Sequence, residues 1–408
     1  MKQFIKYLDL HTSNSSLSNS DYLYMIHSIN MNYLSYNIGQ APVYSPYPFH
    51  MDNSQEDGKI PSYLEWQHIH EAIIQMDENL TYNNHLVIPK EKKHIDANIQ
   101  SIDDILAIIE ANPYDPIYDY NIDLKSLHAI KDELTEINQM VGLDAFKTSI
   151  LEQLLYFIQN LHIGTDSDFK HTVLSGPPGT GKTEIAKLLG TMYSKIGLLK
   201  NNVFQKVTRS DLIAGYLGQT AMKTQKVIEK SLGGVLFIDE AYSLAEPSQN
   251  DSFSKECIDT LCEALSDHKT DLMVIIAGYE EELNETFFKV NRGLHSRFIW
   301  RFKMEPYSPT EMKLIFMKKV QSNEWNFENP AEITDKWFEK NKASFKNHGR
   351  DMDLLFTYTK IAHGRRIYGK PVECRKKISM DDLEKGYLVF VKNNIKKEEN
   401  TFISDMYV

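Results

Sequence analysis

The sequence predicts an α/β fold, with a parallel sheet covered by helices and a small all-helical domain after it. From about residue 131 to 307, short apolar runs such as Thr172-Val173-Leu174 and Gly234-Val235-Leu236-Phe237-Ile238 alternate with amphipathic stretches. That order builds a parallel sheet. One run enters a glycine-rich turn, Gly176 to Gly181, which opens a helix with Ile185, Leu188, Leu189 and Met192 on one face. From about 308 to 396 only helical patterns remain, with Met312, Ile315 and Phe316, then Leu383, Tyr387 and Phe390, at helical spacing.

The elements before the sheet are weaker. Residues 1 to about 60 are rich in Ser, Asn and Tyr, and stretches such as Thr12-Ser13-Asn14-Ser15-Ser16 can bury little. The region 1–130 is expected to be partly disordered. His68 and His70 read as surface histidines rather than a metal site. A clear helix starts at Ile102, with Ser101 and Asp104 in a capping-box pattern and an Ile105, Ile108, Ile109 stripe, and stops at Asn112-Pro113. Pro116 to Asp123 then reads as a linker. Residues 397–408 read as a tail.

With 408 residues, the chain has room for two or three compact units. Its composition, 42% hydrophobic and 25% charged, is ordinary for a globular protein. No apolar run has the length to span a bilayer, and Lys6 and Asp9 interrupt any signal-peptide core, so a cytoplasmic protein without membrane attachment is expected. The net charge of −11 opposes general nucleic-acid affinity, although a local basic groove is compatible with it. Cys257, Cys262 and Cys374 have no metal-like spacing, and Cys262 shares an apolar face with Ile258, Leu261 and Leu265, as a packing thiol would.

The chemistry concentrates in two segments. The first is Gly176-Pro177-Pro178-Gly179-Thr180-Gly181-Lys182-Thr183, between a strand and a helix. Glycines let backbone N–H groups curl around a phosphate, and the helix N-terminus adds positive partial charge. Lys182 offers a point charge to the β- and γ-phosphates, and the Thr183 hydroxyl a magnesium ligand. The second is the apolar strand ending in Asp239-Glu240. Its acids fall at the carboxyl end of the sheet, beside the loop. There Asp239 would hold magnesium and Glu240 would orient and deprotonate water. Taken alone, two acids after a strand read as a solvated strand end; the glycine loop beside them turns the reading to catalysis.

These motifs, with Met140-Val141-Gly142-Leu143 ahead of them, resemble the AAA+ ATPases. The resemblance is to the group containing red-type Rubisco activase and the sporulation-stage-V-K-like ATPases. It runs from about Glu133 to Tyr387 and includes Gly215-Tyr216-Leu217-Gly218-Gln219-Thr220-Ala221, Leu236 to Leu244, Ile275-Ile276-Ala277-Gly278-Tyr279 and Gly293-Leu294-His295-Ser296-Arg297-Phe298. The Asn- and Tyr-rich composition also looks like members encoded by large DNA viruses, which would put the protein in a host cytoplasm or virus factory.

The resemblance implies an αβα ATPase domain over 131–307 with a five-stranded parallel sheet, and a helical lid over 308–396. It implies ATP and Mg2+ held by Gly176 to Thr183, with Glu184, and by Val141 and Gly142 on the adenine side. Tyr279 falls at the sensor-one position, where a buried core tyrosine is the competing reading. Arg297 matches the arginine finger that reaches a neighbouring subunit's ATP, with Arg292 as second candidate. Arg350, in His348-Gly349-Arg350, matches sensor two, against an ordinary helix-start arginine. Tyr216 and Leu217 match a pore loop, against a tyrosine packed on its own loop. Three positions depart from the group: Arg292 replaces a proline, His295 an arginine, and Asp353 a basic residue.

The function so implied is a homo-oligomeric ring, a hexamer, that hydrolyses ATP and remodels a protein substrate through its pore. A nucleic-acid translocase or replication factor would share the core, but the acidic balance and Tyr216 oppose it. A nucleotide-gated scaffold is opposed by the intact Glu240.

Overall fold

Alternation within the strands explains the layering. In the central run Val235, Phe237, Met273, Ile275 and Ala277 point to one core, while Leu236, Ile238, Val274 and Ile276 point to another. Successive strand side chains face opposite ways, so strands apolar at every position must be covered on both faces. A computed structural model of the chain describes residues 91–164, 168–216, 218–245 and 252–405, with side chains to residue 394. The expectations for residues 1–90, including His68 and His70, and for Leu217 lie outside the described residues.

The first described strand, β1 (Glu91–Lys93), pairs in parallel with β2 (Tyr118–Tyr120). Helix α1 (Ile102–Ala111) lies between them, with the Ser101/Asp104 capping box formed. Helices α2 (Leu124–Ala129), α3 (Lys131–Asn138) and α4 (Asp144–Ile158) follow. Two expectations change here. The stretch read as a linker contains β2, whose short YDY run lacks any apolar alternation. The start of the folded unit also moves ahead of residue 131. Ile102, Ile105, Ile109, Leu127 and Ile130 share one buried cluster with α4 and the sheet, and residues Lys90–Val408 group as one unit.

The central sheet holds β3 (Thr172–Ser175), β4 (Phe204–Val207), β5 (Val235–Ile238), β6 (Met273–Gly278) and β7 (Trp300–Lys303) in the order β4-β5-β6-β3-β7. All five strands run parallel. Helix α5 (Lys182–Lys195) joins the α1, α3 and α4 face. The other face is covered from α6 (Arg209–Leu212), α7 (Thr220–Ser231), α8 (Ser252–Asp267), α9 (Glu280–Glu285), α10 (Phe287–Val290) and α11 (Gly293–Arg297). Cys257 and Cys262 are buried there, and burial pushes the Cys257 thiol up to about 11, which leaves it inert at neutral pH.

The last domain contains α12 (Pro309–Ser322), α13 (Asp335–Asn341), α14 (His348–Ile367) and α15 (Met380–Asp405) around a core of its own. It is not wholly helical, because β8 (Asn326–Phe327) and β9 (Lys377–Ile378) form a short parallel pair. Helix α15 continues to Asp405, through most of the stretch read as a tail. No helix among the described residues is long and apolar enough to cross a membrane.

Candidate nucleotide site

The carboxyl ends of β3, β5 and β6 meet at one edge of the sheet, and the glycine loop leaves from there. Its first amide, Gly176 N–H, donates to the Gly278 carbonyl at 3.1 Å and so ties the loop to the end of β6. Gly179 (φ 74°) and Gly181 (φ 92°) hold left-handed backbone, and Gly181 is the N-cap of α5. That turn places successive amides at the helix N-terminus. The Thr180 hydroxyl closes the loop on Pro177 O at 2.9 Å. The Lys182 ammonium curls over the loop, donating to Gly176 O at 2.8 Å and Pro177 O at 2.7 Å. Burial lowers its pKa, Asp239 and Glu240 oppose that, and Arg350 adds to it.

Asp239 follows β5, half-buried, with its N–H on Val207 O at 3.1 Å. Its carboxylate pairs with the Lys206 ammonium of β4 at 2.7 Å. Glu240 is exposed and holds φ 53°, a left-handed conformation that is uncommon outside glycine. A cleft of about 570 Å³ opens beside the two acids, lined also by Lys206, Thr208, Arg209 and Ser210. Among the described residues no group of three or more His, Cys, Asp or Glu side chains could hold a metal alone. Magnesium needs no such cage, because it takes one or two carboxylates and completes its shell with phosphate and water. Asp239 and Thr183 supply hard oxygen donors of that kind.

Tyr279 caps α9 directly after β6 and is 36% exposed, so it is not a core tyrosine. The Lys182 ammonium lies 5.9 Å from its ring centroid, and Tyr242 packs against it at 5.8 Å. The lid closes the other side. Gly349 N–H donates to Gly179 O at 3.1 Å, the Tyr307 hydroxyl donates to Thr180 O at 3.3 Å, and a side chain at Gly179 would collide with the Asn347 carbonyl. Arg350 is exposed and near enough to Lys182 to perturb it. At Gly142 (φ 63°) a side chain would collide with the Glu311 carboxylate of α12, so the Val141-Gly142 segment lies against the lid. Leu143 bridges the sheet core and the lid core.

The remaining candidates lie elsewhere on the chain. Arg297 is half-buried and bonded within its own chain, to Ser266 Oγ and Gly293 O, each at 2.8 Å. Arg292, at the N-cap of α11, is exposed. Tyr216 is 73% exposed, which removes the reading of a ring packed on its own loop. His295 packs at a tilt against Phe288, ring centroids 4.7 Å apart, and meets Arg301 at 3.0 Å, and Asp353 pairs with Lys319. Sequence reasoning missed Lys206, Tyr307 and Asn347. Only their positions at the ends of elements bordering the loop could have pointed to them.

Residues 172–300 match the model of the ATPase family associated with various cellular activities (AAA). A cfxQ-like protein of Acanthamoeba polyphaga mimivirus is 38% identical over 284 residues, 69% of this chain and 70% of the relative. Stage V sporulation protein K of Bacillus subtilis (strain 168) is 36% identical over 213 residues, 50% of this chain and 65% of that one. The CfxQ homolog of Cyanidium caldarium is 34% identical over 199 residues, 48% of this chain and 69% of that one. With the glycine loop, the acid-tipped β5 and the lid in place, the chain belongs to the AAA family of ATPases, among its CfxQ-like members.

Proposed function

We propose that this chain hydrolyses ATP as a subunit of a homo-oligomeric ring, a hexamer, and uses the cycle to remodel a protein substrate drawn at the pore. The observation that carries the reading is the meeting of Lys182, Asp239, Glu240 and the lid's α14 around one glycine loop. When bound, magnesium would neutralise phosphate charge, with Asp239 and Thr183 as its protein ligands. Glu240 orients water and takes its proton, and its exposure leaves the carboxylate free to face that water. Lys182 gives up its two loop carbonyls for phosphate oxygens, which offer stronger, charge-assisted bonds. Arg350 and Tyr279 reach the γ-phosphate from the lid and from β6. Arg297 leaves Ser266 and Gly293 to enter the neighbouring subunit's site. Tyr216, exposed and flanked by Gly215 and Gly218, grips the polypeptide through its ring, with Leu217 beside it.

Two variants test the chemistry. Glu240→Gln should bind ATP while losing most phosphate release, because the metal ligand stays and the base goes. Lys182→Ala should lose binding itself. Phosphate release at the wild-type rate by Glu240→Gln would overturn the assignment of the base.

A further inference from the structure

Lys206 lies on β4, the edge strand of the central sheet, and is bonded across to the acid that follows β5. Strand register sets this up. Lys206 stands opposite Phe237, and Asp239, two residues further on, faces the same way as Phe237. The lysine stem therefore passes the Phe237 ring, with its ammonium 5.8 Å from the ring centroid, and Nζ donates to Asp239 Oδ2 at 2.7 Å. Among the described residues no other side chain bonds to that carboxylate, while the loop's own cation, Lys182, is turned onto Gly176 O and Pro177 O. An edge-strand lysine ordinarily keeps its charge in water, where it discourages pairing with other strands. With 45% of its side chain exposed, Lys206 has that option, yet it takes a carboxylate of the cleft that it lines with Glu240. A pair this open adds little to stability, because water screens both charges, so folding alone does not account for it.

We propose that Lys206 sets how tightly the site takes its metal: its ammonium neutralises Asp239 in the nucleotide-free chain and competes with magnesium for that carboxylate. This rests on the nucleotide site proposed above, with Asp239 as a metal ligand. A carboxylate neutralised by one cation attracts a second less strongly. Lys206 must therefore give up Asp239 when nucleotide binds with its metal, whereas metal-free nucleotide leaves the pair intact. The open cleft of about 570 Å³ beside the acids gives the freed lysine room to turn into solvent. Lys206 so acts on the site through Asp239, as a residue that tunes metal affinity.

The test compares binding of a fluorescent ATP analogue in EDTA and in saturating magnesium, on the full chain carrying Glu240→Gln to stop turnover. The ratio of the two dissociation constants reads the metal's contribution, and because it is taken within each variant, a general loss of stability cancels from it. Lys206→Met keeps the length and removes the charge, so the ratio should rise about threefold to tenfold, through tighter binding in magnesium. Lys206→Arg keeps a cation on Asp239 and should stay within about twofold of the parent. Combined with Asp239→Asn, the Met change should move the ratio by less than about twofold, because the shared partner is gone. An unchanged or lower ratio in Lys206→Met overturns the inference, and so does an equal rise in Lys206→Arg or a rise that persists with Asp239→Asn. If the parent shows no magnesium dependence, or Asp239→Asn alone keeps all of it, the site reading itself fails. If Asp239→Asn loses that dependence while Lys206→Met changes nothing, only the role of Lys206 falls.

Discussion

His171 shows how one buried side chain ties the sheet to its cover. Its Nδ1 accepts from Val274 N–H at 3.1 Å, and its Nε2 donates to Leu265 O at 3.0 Å, so only one neutral tautomer satisfies both partners. Burial chiefly holds its pKa down, to about 4. The unfolded chain protonates this group near 6.5. Between those values the unfolded state binds more protons, so stability is intact above about pH 6.5 and is lost as pH falls toward 4. The loss should reach about 3 kcal/mol at full protonation. Urea unfolding across that range checks it, against His171→Gln, whose amide can meet both partners without titrating. Equal acid sensitivity in the two proteins would remove the assignment. Nothing in the local sequence marks this histidine, because both partners arrive from residues about a hundred positions away.

At the scale of elements, α14 and α15 are held by an ion cluster. Asp382, fully buried, accepts from Arg366 Nε at 2.9 Å and Nη2 at 2.9 Å, from His363 Nδ1 at 3.1 Å and from Ser379 N–H at 3.0 Å. Removing one partner of a buried pair strands the others, which costs about 3–5 kcal/mol. Asp382→Ala should lower stability by that order in chemical denaturation, and a loss under about 1 kcal/mol would mean that the pair is screened like a surface one. Elements with their own signals were legible in advance. α1 announced both its ends, through Ser101/Asp104 and Asn112-Pro113, and the glycine loop announced α5. β2, β8 and β9 were not, because two or three residues carry no periodicity and owe their pairing to distant strands.

At the scale of the whole molecule, the proposal requires each site to be completed by a neighbour. Arg297→Ala should bind ATP yet hydrolyse it about 10³- to 10⁵-fold more slowly, the span of arginine fingers in phosphoryl transfer. Mixing it with Lys182→Ala should recover part of the activity, since one variant keeps an intact loop and the other an intact finger. Full activity in a dilute sample shown to be monomeric would sink the shared site. Tyr216→Ala should keep basal hydrolysis and assembly but lose stimulation by unfolded polypeptide, while Tyr216→Phe keeps the ring face and stays close to wild type. Because Tyr216 is so exposed, neither change should shift the melting temperature by more than a degree or two. Full stimulation of Tyr216→Ala would end the pore-loop reading.

The sequence by itself determined the class of fold, the strand–loop–helix order, and the glycine loop with its lysine, its threonine and the two acids after the apolar strand. Those depend on short-range rules: side-chain periodicity, the φ freedom of glycine and the chemistry of a lysine, a threonine and two acids at fixed spacing. Tertiary structure alone decided what those residues touch. It set Lys206 on Asp239, laid α14 on Gly179, tied Arg297 to Ser266, and drew residues 91–130 into the ATPase unit. Each of those contacts joins segments far apart in the chain, and their formation depends on the summed packing of both cores rather than on any local pattern.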